Sequence, residues 1–252
     1  QESKGAQIVD LEEFDLNPCI ILKSDGTTIY ASRDIAAILY RDRTYDYYKN
    51  IYVVGLPQTN HFQQVFAVLK KAGFAKADQN IHIGFGSVKF KDGDFSTRKG
   101  NIILLEDLLD QSVAKTQEII TKNNPEMSRE EIEQTAETVG LAAVKYTYLK
   151  NGRERDIMFD WDEILDFEGD TAPYLMYTYA RAKSILQKAG FVWAKQNNLD
   201  FSVLTEADEF GLIKNMYQYP EVLIQAAEEF EPSILLRKIA QLARNFNRFY
   251  HN

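Results

Sequence analysis

The 252-residue sequence contains a single cysteine, Cys19. That excludes an internal disulfide and a thiolate metal cluster, and it fits a reducing, cytoplasmic setting. Histidine is nearly as scarce: His61, His82 and His251 stand far apart, without the spacing of a zinc site, so no bound metal is expected. No apolar run approaches the roughly 20 residues of a bilayer span, and the first residues carry no signal-peptide hydrophobic region; no membrane partner is expected. An excess of positive charge is also missing. Lys and Arg total 29 against 37 Asp and Glu, for a net charge of −8. Proteins that coat nucleic acid are usually basic, because phosphate neutralisation supplies much of their affinity. Any RNA contact must therefore come from basic residues gathered on one face.

What is present is the composition of a soluble globular protein, 45% hydrophobic and 26% charged, long enough for one large domain or two ordinary ones. Cys19 to Leu22 and Ile51 to Val54 read as buried strands. Ser32 to Tyr40 and Asn60 to Lys71 have helical spacing, and Ile81 to Phe90 turns strand-like again. Strand–helix–strand alternation predicts an α/β unit with a parallel sheet. After Leu104 the pattern becomes almost wholly helical. Ser128-Arg129-Glu130-Glu131 has the form of a capping box, Thr205 to Asp208 is a weaker version, and Asp170 followed by Pro173 reads as a helix start. The acidic stretch from Asp156 to Asp170 reads as a solvated connecting surface.

Several residues could carry chemistry. In Asp94-Phe95-Ser96-Thr97-Arg98-Lys99-Gly100-Asn101, hydroxyl, basic and glycine residues lie between a strand and a helix. Such a loop suits phosphate, although an exposed polar turn has the same composition. Tyr30 and Asp34 are four apart and share a helix face, where a phenol beside a carboxylate can receive a guanidinium or ammonium group. The plainer reading is that Asp34 pairs with Arg33 or Arg41. Gln58 and His61 follow the Ile51 to Val54 strand, at the end of the sheet where α/β folds place ligands. His82-Ile83-Gly84-Phe85 looks like the HIGH tetrapeptide of class I aminoacyl-tRNA synthetases, but it lies too far along the fold and reads as strand core.

In the last helix, at about 100° per residue, Leu235, Ile239, Leu242, Phe246 and Phe249 fall in one stripe and are expected in the core. Arg237, Arg244 and Arg248 cluster opposite, as a solvated face or an RNA-backbone contact.

Taken in order, the segments Val9-Asp10-Leu11, Ser24-Asp25-Gly26-Thr27, Tyr30 through Ala36, Tyr52-Val53-Val54-Gly55 with Gln58 and His61-Phe62, Phe85-Gly86-Ser87-Val88, Phe95 through Asn101, and Ala172-Pro173-Tyr174 with Tyr177 and Ala180-Arg181 make the chain resemble arginyl-tRNA synthetases. The resemblance implies an α/β plus all-α fold: the second half of a Rossmann-like catalytic domain over residues 1–104, a helical connector over 105–168, and a truncated DALR-type helical anticodon-binding domain over 169–252. It implies ATP-dependent ligation of arginine to tRNA(Arg), with ATP as substrate and Mg2+ assisting.

By the same resemblance, Tyr30, Asp34 and Gln58 line the arginine pocket, while His61, Phe95, Gly100 and Asn101 meet ATP. Ser96, Thr97, Arg98 and Lys99 stand where the family's catalytic KMSKS loop lies, and Arg237, Arg244 and Arg248 meet tRNA. The KMSKS lysines themselves are absent, leaving Lys89, Lys91, Arg98 and Lys99 as charge donors. Without a HIGH-bearing first half, the chain is expected to be a fragment that is inactive alone. Two other readings are another class I synthetase, such as the cysteinyl enzyme, and a non-catalytic tRNA-binding or scaffolding paralogue.

Overall fold

Ala6–Val9 and Cys19–Leu22 are short apolar segments joined by a polar stretch. In the computed structural model, which describes residues 1–90, 104–166, 169–191 and 200–251, they pair as antiparallel strands. The chain divides into two units, Gln1–Ser87 and Val88–Asn252.

The first unit opens with a sheet of order β1 (Glu2–Ser3), β2 (Ala6–Val9) and β3 (Cys19–Leu22). Helix α1 (Tyr30–Tyr45) is fastened to β3 by the Ser32 hydroxyl, which donates to the Ile21 carbonyl. β4 (Asn50–Gly55), α2 (Thr59–Lys71) and β5 (Asn80–Phe85) follow. β4 and β5 are parallel and in register from Asn50 opposite Asn80 to Gly55 opposite Phe85. Phe62, Val65 and Leu69 of α2, spaced i, i+3, i+7, are buried. The core joins Leu11, Cys19, Ala31, Ile38, Val65, Val68 and Leu69.

A parallel sheet forms as expected, but not from β3, α1 and β4. The crossover unit is β4–α2–β5 instead, and β3 pairs antiparallel with β2. The turn through Asp25 and Gly26 is the reason. Gly26 adopts φ +78°, Lys23 N–H donates to the Thr27 carbonyl at 2.9 Å, and Thr28 bridges back to Leu22, so the chain after β3 folds back on the end of that strand. Nor is β4 fully buried: Ile51 and Val53 are exposed on it. The strand-like run from Ile81 to Phe90 is two strands, β5 and β6 (Val88–Phe90), in different sheets.

The second unit pairs β6 in parallel with β7 (Ile157–Phe159). Helices α3 (Leu105–Asn123) and α4 (Arg129–Lys150) pack side by side, and α5 (Trp161–Ile164), α6 (Ala172–Lys188), α7 (Ala207–Tyr217), α8 (Tyr219–Glu228) and α9 (Pro232–His251) follow. Ser128 caps α4 as expected: its hydroxyl accepts from Glu131 N–H, and the Glu131 carboxylate accepts from Ser128 N–H. At α7 the reciprocal contact is shifted by one residue, with Glu209 accepting from the N–H groups of Thr205 and Glu206.

Three expectations need correction here. The acidic stretch holds a strand and a core element, because its carboxylates alternate with apolar residues; Phe159, Ile164 and Leu165 are buried while Asp160 caps α5 through Asp162 N–H. Helix α6 is capped by Thr171 rather than Asp170, whose carboxylate instead accepts from the Tyr146 hydroxyl at 2.7 Å. In α9 the most buried positions are Ser233, Lys238, Ala240 and Ala243, whereas Leu235, Ile239, Leu242 and Phe246 are half-buried and Phe249 is exposed. Three of those four buried residues are small, as is needed where α9 contacts α4, α6, α7 and α8.

Candidate functional site

Tyr30 and Asp34 lie on the first turns of α1, and Gln58 and His61 lie where β4 gives way to α2. The fold brings three of them together. His61 Nε2 is 2.6 Å from Asp34 Oδ2, and the Tyr30 ring stands edge-on to the His61 ring at 6.4 Å and 88°. The two polar side chains are 26% (Asp34) and 22% (His61) exposed, so the pair is shielded yet reachable. Tyr30 is 77% exposed, and Gln58 is exposed.

Asp34 pairs with neither Arg33 nor Arg41. Arg41 donates to the Tyr52 hydroxyl at 2.6 Å, with its guanidinium 5.1 Å from the centre of that ring. Burial pushes the Tyr52 phenol above its ordinary value. This leaves Asp34 with one hydrogen-bond partner among the described residues and its Oδ1 without any. A carboxylate has about four acceptor positions, so most of its capacity is open to a cation with several N–H donors.

Behind the pair stands a layer that sequence reasoning missed. Phe62 stacks on His82 at 4.6 Å and 22°, lies 4.8 Å from Tyr52, and meets His61 edge-on at 5.1 Å. His82 Nε2 lies 2.9 Å from the Val54 carbonyl oxygen. His82-Ile83-Gly84-Phe85 is therefore built into β5, and Leu56 packs over Gly84, where an added Cβ would come within 2.7 Å of its side chain. Only the parallel register, with Tyr52 opposite His82, places these rings together; nothing in their spacing along the chain signals it.

Phe95, Ser96, Thr97, Arg98, Lys99, Gly100 and Asn101 lie outside the described residues, as does Lys91. Lys89 is described, and its ammonium is 2.6 Å from Asp156. Among the described residues no group of three His, Cys, Asp or Glu side chains is placed to hold a metal, and no helix is long and apolar enough to cross a membrane.

The arginines of α9 are placed separately, within the second unit. Arg237, Arg244 and Arg248 are exposed; Arg237 donates to Ser233 at 2.9 Å, and Arg248 lies 3.7 Å from Asp208. α9 carries Arg237, Lys238, Arg244 and Arg248 and no acidic residue, in a chain of net charge −8. Positive charge is thus gathered on this helix. Next to it, Arg181 of α6 lies over the Tyr177 ring at 4.7 Å and the Tyr250 ring at 5.1 Å, and donates to Asn247, which itself donates to Tyr174 and Thr178.

Comparison with known proteins places both regions. A family profile described as tRNA synthetases class I (R), catalytic domain, matches residues 1–161, and the DALR anticodon binding domain matches residues 175–252. The arginine–tRNA ligase of Clostridium botulinum (strain Alaska E43) is 50% identical over 250 residues, 99% of this chain and 44% of that relative. That of Halothermothrix orenii is 48% identical over 252 residues, again 44% of the relative. Among solved structures, Thermus thermophilus arginyl-tRNA synthetase superposes with a TM-score of 0.86 at 27% identity, covering 100% of this chain and 47% of the other. The Plasmodium falciparum arginyl-tRNA synthetase gives 0.81 at 25% identity, covering 100% and 43%. The chain therefore spans less than half the length of the relatives it matches.

Proposed function

The chain belongs to the class I arginyl-tRNA synthetase family, and from that premise we propose that it supplies the amino-acid pocket and an anticodon-side helical domain of a cytoplasmic, ATP-dependent arginine–tRNA ligase. The observation that carries this reading is Asp34: a shielded carboxylate with one oxygen unpartnered among the described residues, beside an exposed phenol. In the proposed reaction the arginine guanidinium meets Asp34, with Tyr30 and Gln58 fixing its orientation. The planar fork of donors separates arginine from lysine, and the carboxylate disfavours neutral amino acids. The arginine carboxylate attacks the α-phosphate of ATP, pyrophosphate leaves, and the arginyl group then passes from the adenylate to a hydroxyl of the terminal adenosine of tRNA(Arg), releasing AMP. Positioning and charge stabilisation account for catalysis.

The remaining assignments are proposals on the same basis. By the family resemblance Phe95, Gly100 and Asn101 are assigned to ATP binding and Ser96 to Lys99 to catalysis, and Arg237, Arg244 and Arg248 to the tRNA backbone. Magnesium would accompany the nucleotide, and no described side chains form a ligand set for it. The deciding experiment is arginine-dependent ATP–pyrophosphate exchange by the full-length protein with cognate tRNA present. Robust exchange with arginine, and none with cysteine, is expected. tRNA binding without exchange would replace this reading with that of a non-catalytic RNA-binding paralogue.

A further inference from the structure

A carboxylate that is to receive a guanidinium has to be held in one orientation, because a freely turning side chain loses rotamer entropy on binding. Among the described residues Asp34 is held by one contact, the 2.6 Å approach of His61 Nε2 to Oδ2. His61 is in turn braced on two sides, by the Tyr30 ring at 6.4 Å and the Phe62 ring at 5.1 Å. Phe62 is 5% exposed and is stacked on His82, whose own ring lies against the Val54 carbonyl. A continuous set of contacts thus runs from the β4 backbone through two rings to the imidazole that fixes the carboxylate.

From this geometry we infer that His61 is a positioning residue of the arginine pocket, acting through Asp34, and not a contact of the ATP phosphates. The inference rests on the reading of Asp34 as the guanidinium receptor. A carboxylate can only accept, so the imidazole nitrogen facing it, Nε2, carries a proton and donates. That nitrogen is committed to Asp34 and is not free for a phosphate oxygen. The same bond uses one of the carboxylate's acceptor positions, leaving Oδ1 for the guanidinium N–H groups. The site takes a planar, cationic, multi-donor group, and His61 sets the angle at which it is received.

The test uses the full-length protein, with cognate tRNA, and separate KM values for arginine and ATP in the exchange assay. His61→Ala is expected to raise the arginine KM by about tenfold or more, the loss typical of a hydrogen bond to a charged group, with the ATP KM unchanged. His61→Gln, whose amide N–H can stand where Nε2 stands, should restore most of the affinity. His61→Asn, whose shorter amide cannot reach, should not, and the Gln/Asn pair decides the matter if the alanine variant fails to fold. In an Asp34→Asn background, His61→Ala should cost nothing further. A raised ATP KM with normal arginine KM, His61→Gln no better than His61→Asn, or additive losses would each overturn the inference. If Asp34→Asn itself leaves arginine KM normal, the pocket reading fails; if only His61→Ala is silent, the pocket stands and the role of His61 falls.

Discussion

Two polar clusters, one in each unit, are hydrogen-bonded in opposite ways. In the second unit, Ser112, Thr116 and Thr147 are almost wholly buried, and every hydroxyl is spent on a nearby carbonyl: Ser112 on Gly140 across the α3–α4 interface, Thr116 and Thr147 one turn back on their own helices. In the first unit, Asp34 is only partly buried and keeps an acceptor oxygen unused among the described residues. Closed bonding lets helices approach and leaves nothing for a ligand. Open bonding beside a braced imidazole leaves a receptor. Between these two clusters the difference lies in the completeness of hydrogen bonding more than in burial.

The largest test of that contrast is Asp34→Ala. Leaving a guanidinium unpaired in a shielded pocket should reduce kcat/KM for arginine by roughly 100-fold or more, with little change in thermal unfolding; a near-normal arginine KM would remove Asp34 from the site. Next is Gly140→Ala in the closed unit. A Cβ there would meet Val113 Cα and N at 2.9 Å, backbone atoms that cannot turn aside. A loss of stability of about 2–3 kcal/mol is expected in denaturant unfolding, with arginine KM preserved in the folded protein. A neutral result would show that α3 and α4 separate easily.

Smaller effects follow. Ser128→Ala should cost about 1 kcal/mol through the lost cap of α4. Glu131 at that cap is held below the ordinary carboxylate range by the Ser128 hydroxyl and then its N–H. Its contribution is therefore complete above the ordinary carboxylate pKa and is lost as pH falls through the lowered one, so the variant should show a flatter acid-side stability profile. The smallest effect is on RNA. Arg244→Glu or Arg248→Glu should lower the salt slope of tRNA binding by about one per phosphate contact removed. An unchanged slope would make the α9 stripe an ordinary solvated face.

Much of the architecture was legible along the chain because it is local. The periodicities of α1 and α2, the Ser128 capping box and the helical second unit each arise from residues within a few positions of one another. Strand pairing was not legible in the same way. The sequence order β3–α1–β4 suggests a parallel crossover, yet a turn around Gly26 folds the chain back on the end of β3, and a few backbone hydrogen bonds decide the outcome. In α9 the long apolar side chains advertised a core stripe, while the positions of closest approach, Ser233, Ala240 and Ala243, are small residues with a weak periodic signal.

By itself, the sequence determined the composition class, the helical punctuation and the residue types able to receive a guanidinium, since these depend on side-chain chemistry and short-range spacing. Its ordered segments also determined the family, because many weak local matches in one order are jointly specific. Only the tertiary structure decided which group holds Asp34. Arg33 and Arg41 are nearer in sequence, but the α1–α2 packing brings His61 to 2.6 Å while Tyr52 on β4 takes Arg41. That choice depends on how two helices and a parallel strand pair pack, and no spacing within a single element encodes it.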